Sequence, residues 1–179
     1  MRRPDLSGYQ PASDAEAADV ARIKAMLAAE ADPWLRSTPL HLTASALIVH
    51  PESGRVLLRW HQRQGAWMHV GGHGDPGETD PVSIALREAT EETGLTDLEP
   101  FPDASLRHVV IVPVAAGKGE PPHEHADLRY VLSTATPEDA RPETPQAPVR
   151  WLAAADAIAA VTKPNLRETI RRVRPLLTA

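Results

Sequence analysis

Glu88, Glu91 and Glu92 lie within the stretch Gly72 to Leu95, at positions i, i+3 and i+4. On an α-helix that spacing brings side chains onto one face. Three carboxylates so placed repel one another unless a cation sits among them, and hard divalent cations such as Mg²⁺ or Mn²⁺ prefer oxygen donors. Ahead of the helix come Gly71, Gly72, Gly74, Pro76 and Gly77, which read as a loop. There a backbone carbonyl could approach the same ion with no side chain in the way. The pattern points to a metal site shared by a helix face and a glycine loop.

The elements that must position this site are legible nearby. Asp80 and Pro81 suit the N-cap and the first helical position, and Gly94 suits a C-cap, so a helix is expected between them. His41 to Val49 and Arg55 to Trp60 are short β-leaning runs around the turn Pro51-Glu52-Ser53-Gly54, a predicted hairpin, and Trp67 to Val70 is a third strand. Further strands are expected over Leu106 to Ala115, Asp127 to Thr134 and Val149 to Leu152, with a Gly-, Pro- and His-rich loop over Gly117 to His125. Val20, Ile23, Met26 and Leu27 recur at helical spacing within Ser13 to Leu35, where Ser13 and Glu16 form a capping-box pattern. Ala153 to Val161 and Asn165 to Leu177 read as C-terminal helices, after a proline-rich loop over Pro137 to Pro148. This order predicts a single mixed α/β sheet covered by helices. Residues 1–36 are expected to form a helical extension packing on a domain of residues 37–179.

Several residues outside the acidic helix could also do chemistry. Strand alternation would set Arg59, His61 and Arg63 on one face, where arginine forks could meet phosphate. His69, His73, His123 and His125 form two spaced pairs, and imidazole is a common transition-metal ligand and a proton acceptor. Glu124, Asp127, Glu138 and Glu143 are the acidic candidates for a further ligand or base. If a planar group stacks on an aromatic, Trp34, Trp60, Trp67, Phe101, Tyr130 and Trp151 are the choices, Tyr9 being assigned to a loose N-terminal segment.

Composition narrows the function classes. The 179 residues contain no cysteine, which excludes disulfides, thiol nucleophiles and thiolate metal sites and is consistent with a reducing cytoplasm. A net charge of −5 argues against a large basic face for nucleic acid polymers. Of the 19 basic residues, Lys24, Lys118 and Lys163 are the lysines, a bias attributable to genome composition. No apolar run follows the basic start Met1-Arg2-Arg3, so no secretory leader is expected. Val109 to Ala116, the longest apolar stretch, falls far short of the roughly 20 residues a membrane helix needs.

Gly72, Glu78, Arg87, Glu88, Ala89, Glu91, Glu92, Gly94 and Leu95 together resemble the Nudix box. One departure is an additional residue between Glu78 and Arg87, which the helical register assigns to Thr79-Asp80; it bears on the family's contact between that glutamate and that arginine. The resemblance implies an α/β/α sandwich with a mixed sheet, a Nudix hydrolase domain over 37–179. It also implies cleavage of a phosphoanhydride bond in a nucleoside diphosphate derivative with Mg²⁺ or Mn²⁺. Carried over by position, Glu88 and Glu92 would be the principal metal ligands, Glu91 a further ligand or water activator, the Gly72 carbonyl another ligand, and Arg87 an orienting group. Arg59, Arg63 and Arg129 are the substrate-binding candidates, the last because His125 to Tyr130 is similar to a His-x-Asp-Leu-Arg-Tyr segment of one subgroup. The implied partner is a small nucleotide in the cytoplasm, with no nucleic acid polymer and no membrane, and a homodimer is a common assembly among relatives. The alternative is a non-catalytic nucleotide-binding or sensing domain. The isomerase chemistry of the same fold relies on a cysteine, which this chain lacks.

Overall fold

A computed structural model describes residues 4–117 and 119–177. The basic start Met1-Arg2-Arg3 and Lys118 lie outside the described residues. Helix α1 (Asp14–Ala29) is followed by β1 (Leu40–His50), β2 (Arg55–His61), β3 (Ala66–Met68) and β4 (Val70–Gly72). Then come α2 (Pro81–Thr93), β5 (Glu99–Pro100), β6 (His108–Val114), β7 (His123–Ser133), β8 (Val149–Ala153), α3 (Ala154–Ala160) and α4 (Pro164–Val173). No helix among the described residues is long and apolar enough to cross a membrane.

Strand β1 organises the molecule. One edge runs parallel to β7, from Leu40 opposite Glu124 to Val49 opposite Ser133. The other edge is shared by two antiparallel partners: Ala44 to Ala46 meet Val70 to Gly72 of β4, and Ile48 to His50 meet Arg55 to Leu57 of β2. Strands β3 and β8 flank β2, and β5 and β6 pair with β7, completing a mixed eight-stranded sheet.

Alternation along β1 and β2 then divides the core in two. Leu42, Ala44, Ile48 and Leu57 pack with α1 and α2 residues such as Val20, Ile23, Ile84 and Ala85. Leu47, Val49, Val56 and Leu58 pack with Leu166, Ile170 and Val173 of α4. With helices on both faces the architecture is the expected α/β/α sandwich.

Several local expectations are corrected. Gly71 and Gly72 belong to strand β4 rather than to the loop, because Gly71 lies so close to β1 that a Cβ there would stand 2.4 Å from the Ser45 Cα. His123 to His125 belong to β7, since β1 takes up one of its edges and β6 the other; a Pro- and His-rich composition gave no hint of that pairing. Helix α1 stops at Ala29, and α4 gives way after Val173 to a 3₁₀ turn over Arg174–Leu177. Arg63 lies in a 3₁₀ turn after β2, not on the strand.

Tyr9 is not loose either. Its hydroxyl donates to Glu16, and the ring packs against the core. Only half of the capping box forms as a box: the Ser13 hydroxyl accepts from the Glu16 N–H at 3.2 Å, whereas the Glu16 carboxylate turns inward. It is 4% exposed and accepts from the backbone of Ala12 at 2.7 Å and Val109 at 3.2 Å, and from Arg172 Nη1 at 2.9 Å, clamping α1 to β6 and α4.

Burial opposes ionisation of Glu16, but the bonds from Arg172, Tyr9 and Ala12 outweigh it and bring its pKa down to about 2. A group held below its unfolded value stabilises the fold above that value and loses the contribution as pH falls through the folded one. Glu16→Gln is therefore expected to cost about 2 to 3 kcal/mol at neutral pH. In urea unfolding, the gap between variant and parent should narrow between about pH 4.5 and pH 2. An equal gap at pH 7 and pH 3 would contradict this role.

Candidate active site

Helix α2 starts where Asp80 accepts from the Ser83 N–H at 3.0 Å and ends at Gly94, whose left-handed backbone (φ 70°) lets its N–H reach the Thr90 carbonyl at 2.8 Å. Ile84, Ala85 and Ala89 bury its inner side, which turns Glu88 and Glu92 toward β4 and leaves Glu91 outside. The side-chain exposures follow: 16% for Glu88, 14% for Glu92 and 55% for Glu91.

Gly72 and Glu88 touch so closely that a Cβ at Gly72 would stand 2.7 Å from the Glu88 carboxylate. Beside it, a Glu92 oxygen accepts from the Gly71 N–H at 3.2 Å. Burial raises the pKa of both carboxyls, against the charge of Arg87 for Glu88 and of Arg59 for Glu92, and pushes Glu92 up to about 7. Two half-buried carboxylates beside a bare backbone form an oxygen-rich cradle, with Arg87 held 3.0 Å from Glu88 and Arg59 3.1 Å from Glu92 at its flanks.

Arg87 is the hub on the loop side. Its guanidinium donates to Glu78 at 3.0 and 3.1 Å, to Glu88 at 3.0 Å, to Glu91 at 3.2 Å and to the His73 carbonyl at 2.8 Å. The contact between Glu78 and Arg87 is thus formed despite the additional residue. A turn in which the Glu78 N–H reaches the Asp75 carbonyl at 2.9 Å precedes the helix start and leaves the helical register intact.

A cavity of about 310 Å³ opens beside the cradle, with Gly72, Glu92, Arg59 and Arg63 among its lining. Arg59 bridges Glu92 at 3.1 Å and Glu143 at 2.8 Å, which singles out Glu143 from the four acidic candidates as the neighbour of the helix carboxylates. Glu124 instead pairs with Arg22 of α1. Arg63 reaches across to the Ala115 carbonyl at 3.0 Å.

Arg129 reaches the cavity wall from below. It is 1% exposed, and its guanidinium donates to Asp127 at 2.7 Å and to the Thr169 hydroxyl at 3.0 Å. Asp127 also accepts from Thr43 at 3.1 Å and Ser45 at 2.9 Å. Burial resists its ionisation, yet the Arg129 charge and the His69 hydrogen bond outweigh that and hold its carboxyl well below the usual carboxylate range. Burial and the same arginine push His69 down, so its contact with Asp127 is that of a neutral imidazole.

Sequence reasoning missed His41, Thr43 and Ser45, whose side chains line or back this cavity. The signal was present in Leu40 to Ala46, where polar residues take every second position of an otherwise apolar strand. Of the aromatic candidates, Trp34 and Tyr130 are buried in the core, and Trp60, packed edge-on against Trp67, lines a shallower recess beside Arg63 and Glu143.

A family model described as NUDIX domain matches residues 39–176. Among solved structures, the chain is similar to a Caenorhabditis elegans Ap4A hydrolase in a binary complex, at 22% identity and a TM-score of 0.60, covering 76% of this chain and 96% of that one. It is also similar to an Escherichia coli dihydroneopterin triphosphate pyrophosphohydrolase, at 18% identity and a TM-score of 0.57, covering 76% and 94%. A Nudix hydrolase from Mycobacterium smegmatis aligns at 26% identity and a TM-score of 0.53, covering 76% and 84%. No curated protein matches the chain in sequence.

Proposed function

The chain belongs to the Nudix family, and from that premise we propose that it is a metal-dependent hydrolase cleaving the phosphoanhydride bond of a nucleoside diphosphate derivative. The observation that carries this reading is the cradle: the Glu88 carboxylate fills the space a side chain at residue 72 would need, with Glu92 beside it at Gly71. Carboxylate and carbonyl oxygens suit a hard divalent cation, Mg²⁺ or Mn²⁺, so the residues present fit the cofactor. Glu88, Glu92 and the Gly72 carbonyl would hold it, with Glu91 as the further ligand or water activator.

When bound, such an ion neutralises the charge of the diphosphate oxygens and lowers the pKa of coordinated water. The chain's own residues do the rest. Arg87 holds Glu88 and the His73 carbonyl in place through its fork of donors. Arg59 sets the position of Glu92, and Arg63 at the cavity rim offers a guanidinium to phosphate. Arg129 shapes the floor through Asp127. Residues 1–36 as an extension of the 37–179 domain, and a small cytoplasmic nucleotide as the partner, belong to the same proposal.

Incubating the protein with ADP-ribose, nucleotide sugars, dinucleoside polyphosphates and nucleoside triphosphates, with Mg²⁺ or Mn²⁺ at mildly alkaline pH, tests it. Release of a nucleoside monophosphate or of phosphate is expected from at least one class, and chelation of the metal should abolish it. Tight nucleotide binding with no turnover in any arm would favour a binding or sensing domain instead.

A further inference from the structure

We propose that His41, His123 and His125, with His73 as the fourth side chain, form a second metal site, built for a late first-row divalent ion such as Zn²⁺. It is separate in chemistry from the carboxylate cradle, and it does not depend on the reaction assigned above.

The site is assembled by the sheet. His41 of β1 stands opposite His125 of β7 in the parallel ladder, and His123, two residues earlier in β7, projects from the same face. One ligand nitrogen from each of these three residues lies within 4.8 Å of the other two. His73, just after β4, brings its Nε2 to 3.0 Å from that of His41, and the Nε2 atoms of His123 and His125 are 3.1 Å apart.

Two of the rings have their free nitrogen assigned by what their other nitrogen does. His41 Nδ1 lies 2.8 Å from the Thr38 carbonyl and His123 Nδ1 2.9 Å from the Pro121 carbonyl, so both nitrogens donate. In a neutral ring that leaves Nε2 as a bare lone pair facing the cluster. A backbone carbonyl on the far nitrogen is the usual way a metal-ligating histidine is oriented.

The ring spacing also matches. With bonds of about 2.05 Å, four imidazoles around a tetrahedral ion stand with centroids ~5.2 Å apart. The observed separations are 5.1 Å for His41–His73, 5.3 Å for His41–His123, 5.0 Å for His41–His125, 4.7 Å for His73–His125 and 5.0 Å for His123–His125. An all-imidazole donor set selects Zn²⁺, Co²⁺ or Ni²⁺ over Mg²⁺. His73, His123 and His125 line the same cavity as Glu92, so an ion held there would face the same pocket as the cradle.

Cobalt titration of the untagged full-length protein, stripped of metal beforehand, tests the site. One tightly bound equivalent with the intense visible bands of tetrahedral Co²⁺ is expected, displaced by Zn²⁺ and unaffected by excess Mg²⁺. The double variant His123→Gln/His125→Gln, on half-buried positions, should weaken binding by about 100-fold. Glu92→Gln should leave the bands unchanged. Circular dichroism of the double variant checks its fold, and His73→Gln alone provides a second, milder loss. Pale octahedral spectra, displacement by Mg²⁺, or bands that survive the histidine variants would overturn the site and reduce the cluster to hydrogen-bonded imidazoles.

Discussion

Glu92→Gln is expected to lower turnover by at least about 10³-fold, the equivalent of about 4 kcal/mol of transition-state stabilisation, in a protein that still folds. The carboxylate is the member of the acidic face that both touches the cradle and lines the cavity. Glutamine keeps the shape, and its amide oxygen can still accept from the Gly71 N–H. What it removes is one negative charge from the cradle proposed to hold the cation. Arg59 keeps its second partner, Glu143, so no guanidinium is stranded by the change. Thermal unfolding should therefore shift little while Mn²⁺ affinity and turnover fall together. A variant with parental turnover would remove Glu92 from the metal site.

Asp127→Ala is expected to destabilise the fold by about 3 to 5 kcal/mol. Arg129 is 1% exposed, and with the carboxylate gone its charge would remain under the sheet with Thr169 as its one hydrogen-bond partner among the described residues. Thr43, Ser45 and His69 would lose an acceptor in the same step. Breaking one side of a buried pair is worse than removing both, so Asp127→Ala/Arg129→Met should recover much of the loss. Urea unfolding of the two single variants and the double closes that cycle; additive losses would mean the ion pair is not what holds this floor together. The carboxyl's folded pKa lies below its unfolded value, so its contribution is present above about pH 4 and fades only as the medium becomes more acidic. Across the neutral range the penalty should be flat.

Much of the acidic helix was readable in advance because its determinants are local. Asp80, Pro81 and Gly94 bound it through backbone geometry that operates over a few residues, and the i, i+3, i+4 rule aligns the glutamates without help from the rest of the chain. Spacing alone leaves the contact of Glu78 with Arg87 open because a turn can absorb a residue in several ways, and only the packed loop between Asp75 and Pro81 selects one. Glu16 shows the reverse error. The capping-box pattern spans only four neighbouring residues, while its carboxylate is claimed by Val109 and Arg172, groups distant in sequence.

Composition and short-range spacing by themselves determined a mixed α/β sheet covered by helices and the acidic helix with its caps, since each rests on propensities and periodicities that need no partner. Tertiary structure alone decided which of four acidic residues stands by Glu92, why Arg129 lies under the cavity rather than across it, and that His41 joins three histidines from two other parts of the chain. Those outcomes depend on strand register: the parallel pairing of β1 with β7 sets His41 beside His125 and Thr43 beside Asp127. A slip of one residue would have sent each of them to the opposite face.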